Sequence, residues 1–127
     1  KSAMVVHGAD SMDEITVTGK TVVAELKDGM VKKYQLDPLD LGIKRRNISE
    51  LKGGRTAKEN ARIFRSILRG EEKAAKRDIV LINAAAAIYV SETSPDLREA
   101  LERAVESLDS GKALSKLEEL AKITKAK

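Results

Sequence analysis

Thr21-Val22-Val23-Ala24-Glu25-Leu26, then Lys27-Asp28-Gly29, then Met30-Val31-Lys32-Lys33-Tyr34-Gln35-Leu36 is the stretch on which the fold turns. Its two arms are rich in side chains that suit a pleated, half-buried surface. An Asp-Gly pair between two such arms is a strong hairpin signal, because a tight primed turn needs residues that accept positive φ. Asp37-Pro38 closes the second arm, since proline has no N–H to give to a ladder. Upstream, Ala3-Met4-Val5-Val6 is a short apolar run ending at His7-Gly8, the pattern of a buried parallel strand running into a loop. Ile15-Thr16-Val17-Thr18 is β-branched throughout and stops at Gly19, which reads as a further strand.

Downstream the period changes. Residues 39–55 have no clear repeat and carry Gly42, Gly53 and Gly54, which reads as a connecting loop with one short helical turn. Thr56-Ala57-Lys58-Glu59 fits a capping box, and Ala57, Ala61, Phe64 and Leu68, with Ile63 and Ile67 beside them, give the helix that follows a broad apolar face ending at Gly70. A second helix is expected from about Ala74 to Val90. It is apolar on nearly every side and should be buried on more than one. Ser94-Pro95 offers an N-cap and a first-turn proline to a third helix, with a stripe of Leu97, Leu101, Ala104, Val105 and Leu108 and a stop at Gly111. A last helix carries Ala113, Leu114, Leu117, Leu120 and Ala121 before a basic tail. The chain is thus strand-rich over 1–38, a connecting loop over 39–55 and helical over 56–127. A strand entering a loop and a helix apolar all round point to neighbouring layers that lie outside these residues.

The 127 residues are 42% hydrophobic and 35% charged, the balance of a globular chain. The longest apolar run, Ile79 to Val90, is broken by Asn83 and is shorter than the ~20 residues that span a bilayer. The N-terminus lacks a signal peptide's order of charged, apolar and small residues, so a cytoplasmic protein without a membrane partner is expected. The absence of cysteine excludes disulfides, thiolate metal sites and cysteine nucleophiles, and a single histidine excludes a multi-histidine zinc site within the chain. Any chemistry falls to carboxylates, hydroxyls, amines and backbone groups.

Asp10, Asp13 and Glu14 follow the first strand closely. Ligands of open α/β sheets collect outside the carboxyl ends of strands, and neighbouring carboxylates there suit Mg²⁺, which takes hard oxygen ligands and keeps waters and phosphate oxygens. A solvated acidic loop is the alternative reading. His7 and Ser11 with Asp10 or Asp13 have the residue types of a hydrolase triad, but a triad is defined by geometry, and His7 also reads as a strand-end hydrogen-bonding residue. Lys52-Gly53-Gly54-Arg55-Thr56 could bring backbone amides to a phosphate, yet it matches neither the dinucleotide fingerprint nor a P-loop. Residues 44–77 hold twelve Lys or Arg against four Glu, a net of +8, which leaves −4 for the rest. Lys58, Arg62, Arg65 and Arg69 share one helical face, a stripe that can meet a polyanion or simply be solvated. With only three aromatic residues, base stacking and hence nucleic acid are disfavoured.

Met4-Val5-Val6-His7-Gly8 followed by Met12-Asp13-Glu14-Ile15-Thr16-Val17-Thr18-Gly19 resembles the late segment of anthranilate phosphoribosyltransferases. The resemblance continues through Val23-Ala24-Glu25-Leu26, Asp28-Gly29, Leu36-Asp37-Pro38, Leu41-Gly42, Leu51-Lys52-Gly53-Gly54, Glu59-Asn60-Ala61, Asn83-Ala84-Ala85-Ala86-Ala87 and Asp109-Ser110-Gly111-Lys112-Ala113, in matching order and spacing. It implies an α/β fold: the C-terminal portion of a large phosphoribosyltransferase/nucleoside-phosphorylase-like α/β domain, with strands and a hairpin followed by about four helices. It also implies transfer of phosphoribosyl from phosphoribosyl pyrophosphate to the amine of anthranilate in tryptophan biosynthesis, with Mg²⁺ as cofactor and homodimerisation through a small helical domain. The family's Asp-Glu pair, here Asp13 and Glu14, would hold a Mg²⁺ associated with the diphosphate.

Two departures stand out. Ser11-Met12 occupies the place where the family usually has glycine and leucine, and serine tolerates fewer backbone conformations than glycine. The family's glycine-rich diphosphate loop, its Lys-His-Gly-Asn segment, its anthranilate-contacting arginine and its helical domain have no counterpart in these residues. No catalytic or substrate-contacting residue is therefore assignable, and the chain by itself is expected to be inactive. The alternatives are a non-catalytic polyanion- or partner-binding module using region 44–77, and a transferase of the same superfamily with a different acceptor.

Overall fold

The structure, a computed structural model, describes residues 2–91 and 93–125. Three strands come first: β1 (Ala3–Gly8), β2 (Thr21–Lys27) and β3 (Met30–Leu36). Two 3₁₀ turns, Pro38–Leu41 and Ile48–Leu51, lead to four helices: α1 (Ala57–Leu68), α2 (Ala75–Val90), α3 (Leu97–Asp109) and α4 (Lys112–Lys125). The basic tail read after the last helix ends in Ala126 and Lys127, outside the described residues.

The hairpin forms as its sequence requires. Lys27 pairs with Met30 across a two-residue turn in which Asp28 (φ 52°) and Gly29 (φ 76°) both take positive φ. The sheet is antiparallel throughout, in the order β1-β2-β3. This corrects the expectation of a buried parallel first strand. The loop between β1 and β2 reverses the chain, so Ala3 pairs with Leu26 and His7 with Val22. Helices cover one face of β1 only, which leaves Val5 72% exposed although its run reads as apolar on both sides.

Ile15–Thr18 is not a strand either. Its β-branched side chains serve burial instead of pairing: Ile15, Thr16 and Val17 are almost fully enclosed. The connecting region holds two short turns where one was expected, because Asp37 and Asn47 each cap one with a side-chain oxygen. The α1 capping box is present as expected, with the Thr56 hydroxyl accepting from the Glu59 amide. Its apolar face is largely bare, however. Ala57, Ala61 and Phe64 are exposed, and only Ile67 and Leu68 are buried, because the described residues place little against the first turns. The third helix begins two residues later than expected. Asp96, not Ser94, is its N-cap and accepts from the Arg98 and Glu99 amides, so Pro95 precedes the cap. The buried Ser94 hydroxyl donates to the Asp96 carbonyl.

The central helix is α2, and it is buried on two sides as its composition demands. Ile79 and Ile82 pack under the sheet with Ile15, Val17, Val23 and Leu36. Leu81 and Ala85 face α1 and α3, against Ile67, Leu68, Ala100, Ala104 and Leu108. The loop after β1 is thus clamped between the sheet and α2.

Candidate functional site: the acidic loop after the first strand

Residues 9–20 form the loop that carries the acidic side chains. A tight turn starts it: the Ser11 amide donates to the Gly8 carbonyl, and the Gly8 amide to the Met12 carbonyl, each at 2.9 Å. A side chain on Gly8 would lie 2.5 Å from Asp10 Oδ1, so the approach requires glycine. Ser11 takes φ 71°, the left-handed conformation that a glycine adopts without strain.

Asp10 organises this loop. Its Oδ2 accepts from the Thr16 and Thr18 hydroxyls at 2.6 Å each, and its Oδ1 accepts from the Met12 amide at 3.2 Å. Burial alone would raise the Asp10 carboxyl, but the two threonine hydroxyls and then the Met12 amide hold it below its usual range. The sequence marks Asp10 as a candidate metal ligand, whereas its oxygens are already engaged in holding the chain.

Asp13 and Glu14 differ. Both are exposed, and neither has a hydrogen-bond or salt-bridge partner among the described residues. Partial desolvation raises the Glu14 carboxyl, and the negative charges of Asp13 and Asp10 add to it. Neighbouring carboxylates that repel one another and lack cationic partners fit a divalent cation. Among the described residues no group of three or more His, Asp or Glu could hold a metal. The chain therefore offers two oxygen-bearing side chains, which suits Mg²⁺ held largely by water and phosphate oxygens and does not suit an all-protein cage. The pair lies on open surface. The cavities of about 390 and 450 Å³ are elsewhere, beside Lys27 and Tyr89 and beside Arg69 and Lys73.

The segment carrying the pair is fastened from α2. Asn83 accepts from the Ile15 amide at 3.0 Å and donates to the Ile15 carbonyl at 2.8 Å and to the Ile79 carbonyl at 2.9 Å. In sequence, Asn83 shows only as an interruption of an apolar run. The one signal for its role is a poor helix former immediately before four alanines.

The remaining candidates do not converge. His7 sits exposed on the outer face of β1, and no hydrogen bond joins it to Ser11, Asp10 or Asp13 among the described residues. Gly53-Gly54 is engaged internally: Asn60 Oδ1 accepts from the Gly54 amide at 2.8 Å, and a side chain on Gly54 would meet Glu59 Cβ at 2.4 Å. These glycines let the chain pass close over the start of α1. Lys58, Arg62, Arg65 and Arg69 are exposed and without ion pairs among the described residues, while Arg45, Arg46 and Arg77 are paired with Asp37, Asp78 and Asp109.

The family described as "Glycosyl transferase family, a/b domain" matches residues 1–114. The chain belongs to that family. Its relatives include the anthranilate phosphoribosyltransferase of Rubrobacter xylanophilus, 48% identical over 123 residues that make up 97% of this chain and 36% of the relative. The anthranilate phosphoribosyltransferase of Clostridium kluyveri is 52% identical over 118 residues, 93% of this chain and 35% of the relative. In three dimensions this glycosyl transferase chain is similar to the anthranilate phosphoribosyltransferase of Thermus thermophilus, with a TM-score of 0.83 at 38% identity over 93% of this chain and 34% of that one. It is also similar to the Saccharomyces cerevisiae enzyme in complex with PRPP and Mg, with a TM-score of 0.79 at 31% identity over 91% of this chain and 33% of that one. The chain spans about a third of the length of the relatives it matches. No helix among the described residues is long and apolar enough to cross a membrane.

Proposed function

We infer that these residues work in the cytoplasm as the C-terminal part of an anthranilate phosphoribosyltransferase, with phosphoribosyl pyrophosphate and anthranilate as substrates and Mg²⁺ as cofactor. The observation that carries this reading is the Asp13–Glu14 pair: two adjacent, unpartnered carboxylates on a fixed loop of a chain about half identical to such enzymes. The S. cerevisiae relative in complex with PRPP and Mg supports the same assignment of substrate and ion.

In the reaction the bond from ribose C1 to diphosphate breaks, positive charge grows on the sugar, and the anthranilate amine attacks C1. Mg²⁺, when bound, supplies neutralisation of the charge that develops on the leaving diphosphate. Asp13 and Glu14 orient that ion from the protein side and take no part in proton transfer. Asp10 and its two threonines keep the loop in the shape that presents them. Homodimerisation belongs to the helical domain implied by the resemblance.

The test is a hybrid in which residues 1–127 replace the matched third of the T. thermophilus enzyme. The hybrid is expected to form phosphoribosyl anthranilate in a Mg²⁺-dependent manner, and the purified 127-residue chain to give no turnover. Turnover by the chain alone, or a folded hybrid without transfer, contradicts the proposal.

A further inference from the structure

The geometry points to Asn83 as a positioning residue for the Asp13–Glu14 pair, acting through the backbone between Glu14 and Ile15. This rests on the reading of that pair as the holder of a divalent cation.

The Asn83 carboxamide has one acceptor group and two N–H donors, and all are committed. Its oxygen takes the Ile15 amide, and its nitrogen gives one bond to the Ile15 carbonyl and one to the Ile79 carbonyl a turn back in α2. This pattern fixes the orientation of the amide, because the reversed group would set N–H against N–H and oxygen against two carbonyls. The Ile15 nitrogen belongs to the peptide unit whose carbonyl carbon is that of Glu14, so holding it holds the plane on which the Glu14 side chain is mounted. On the other side of the pair, Asp10 holds the Met12 amide at 3.2 Å. Asp13 and Glu14 therefore sit between two pinned peptide units, one fastened within the loop and one fastened to the central helix. Ile15, enclosed at 1% exposure beside Ile79 and Ile82, cannot turn to compensate for loss of the clamp. An interior helix position before four alanines would be filled better, for the helix itself, by another alanine. What Asn83 does for the loop accounts for its presence.

The test uses the ¹⁵N-labelled 127-residue chain with Mn²⁺ and inorganic diphosphate as probes, reading paramagnetic broadening of the Asp13, Glu14 and Ile15 amide signals and hydrogen exchange at the Ile15 amide. Broadening in the parent is expected to centre on these three residues. Outer partners of metal ligands typically change affinity by about 10–100-fold. Asn83→Ala is accordingly expected to raise the Mn²⁺ concentration for half-broadening about tenfold and to speed exchange at Ile15. Asn83→Gln, which keeps the polar group but overshoots Ile15, should shift it in the same direction. Leu108→Ala, in the separate cluster against α3, lowers stability and should leave the Mn²⁺ concentration where it was. A shift with Leu108→Ala as large as with Asn83→Ala, or no shift with either Asn83 variant, overturns the inference. Glu14→Gln separates the two levels. If it weakens Mn²⁺ while the Asn83 variants do not, the positioning role fails and the metal reading stands; if Glu14→Gln changes nothing, the metal reading fails and takes this inference with it.

Discussion

Asp10→Asn probes the loop most sharply, because it removes a charge while keeping the shape. In the parent, the Thr16 and Thr18 hydroxyls each donate to one carboxylate oxygen at 2.6 Å. Hydrogen bonds to charged groups contribute about 1.5–3 kcal/mol each, and the part-buried setting favours the lower end. Asparagine retains one neutral acceptor, so the expected loss at pH 7 is about 2–3 kcal/mol. The pH dependence has a definite sign. Asp10 titrates below its ordinary value in the fold, so its contribution is present above the unfolded pKa and is lost as pH falls through the folded one. The gap between parent and variant should persist from pH 7 down to about pH 4 and close below it, since aspartate in the unfolded chain titrates near 3.9. Urea unfolding followed by circular dichroism at a series of pH values measures this. A variant as stable as the parent at pH 7, or a gap that remains undiminished in acid, refutes the role given to Asp10.

Ile82→Ala opens a void where the sheet, the acidic loop and α2 meet, at a fully enclosed position; a loss of about 2–5 kcal/mol is expected in urea unfolding. Ser11→Gly relieves a left-handed serine at φ 71° but adds freedom to the unfolded chain. The net expected gain is up to about 1 kcal/mol, read as a rise in thermal midpoint. Neutralising Lys58, Arg62, Arg65 and Arg69 together should leave both the fold and Mn²⁺ broadening at Glu14 unchanged, since all four are exposed and make no hydrogen bond or ion pair to the loop among the described residues. Loss of either would show that the basic face takes part in the site.

Local chemistry made much of this fold legible. Asp28-Gly29 needs positive φ at two successive residues and forms the hairpin; Thr56 and Glu59 cap each other; α2 is apolar all round and is buried on two sides. What misled were apolar residues whose cover depends on distant parts of the chain. Val5 and Phe64 read as core yet are exposed, because patterning reports which surface is apolar and not what covers it. Ile15-Thr16-Val17 reads as strand because β-branched residues suit both strands and tightly enclosed loops. At the proposed site, spacing in sequence marked Asp10, Asp13 and Glu14 together, and the resemblance to anthranilate phosphoribosyltransferases narrowed the proposal to Asp13 and Glu14. The supports were illegible: Thr16, Thr18 and Asn83 act through hydrogen bonds whose partners are set by folding, and Asn83 lies 68 residues from Ile15.

The central claim, that Asp13 and Glu14 orient the ion that accompanies the diphosphate, is tested most directly by a Mg²⁺ titration of transfer in the T. thermophilus hybrid carrying Glu14→Gln. Removing one of two carboxylates should raise the Mg²⁺ concentration for half-maximal rate at least about tenfold, the scale of a lost ligand or its support, with the thermal midpoint unchanged. A titration curve that overlays that of the unsubstituted hybrid contradicts the account.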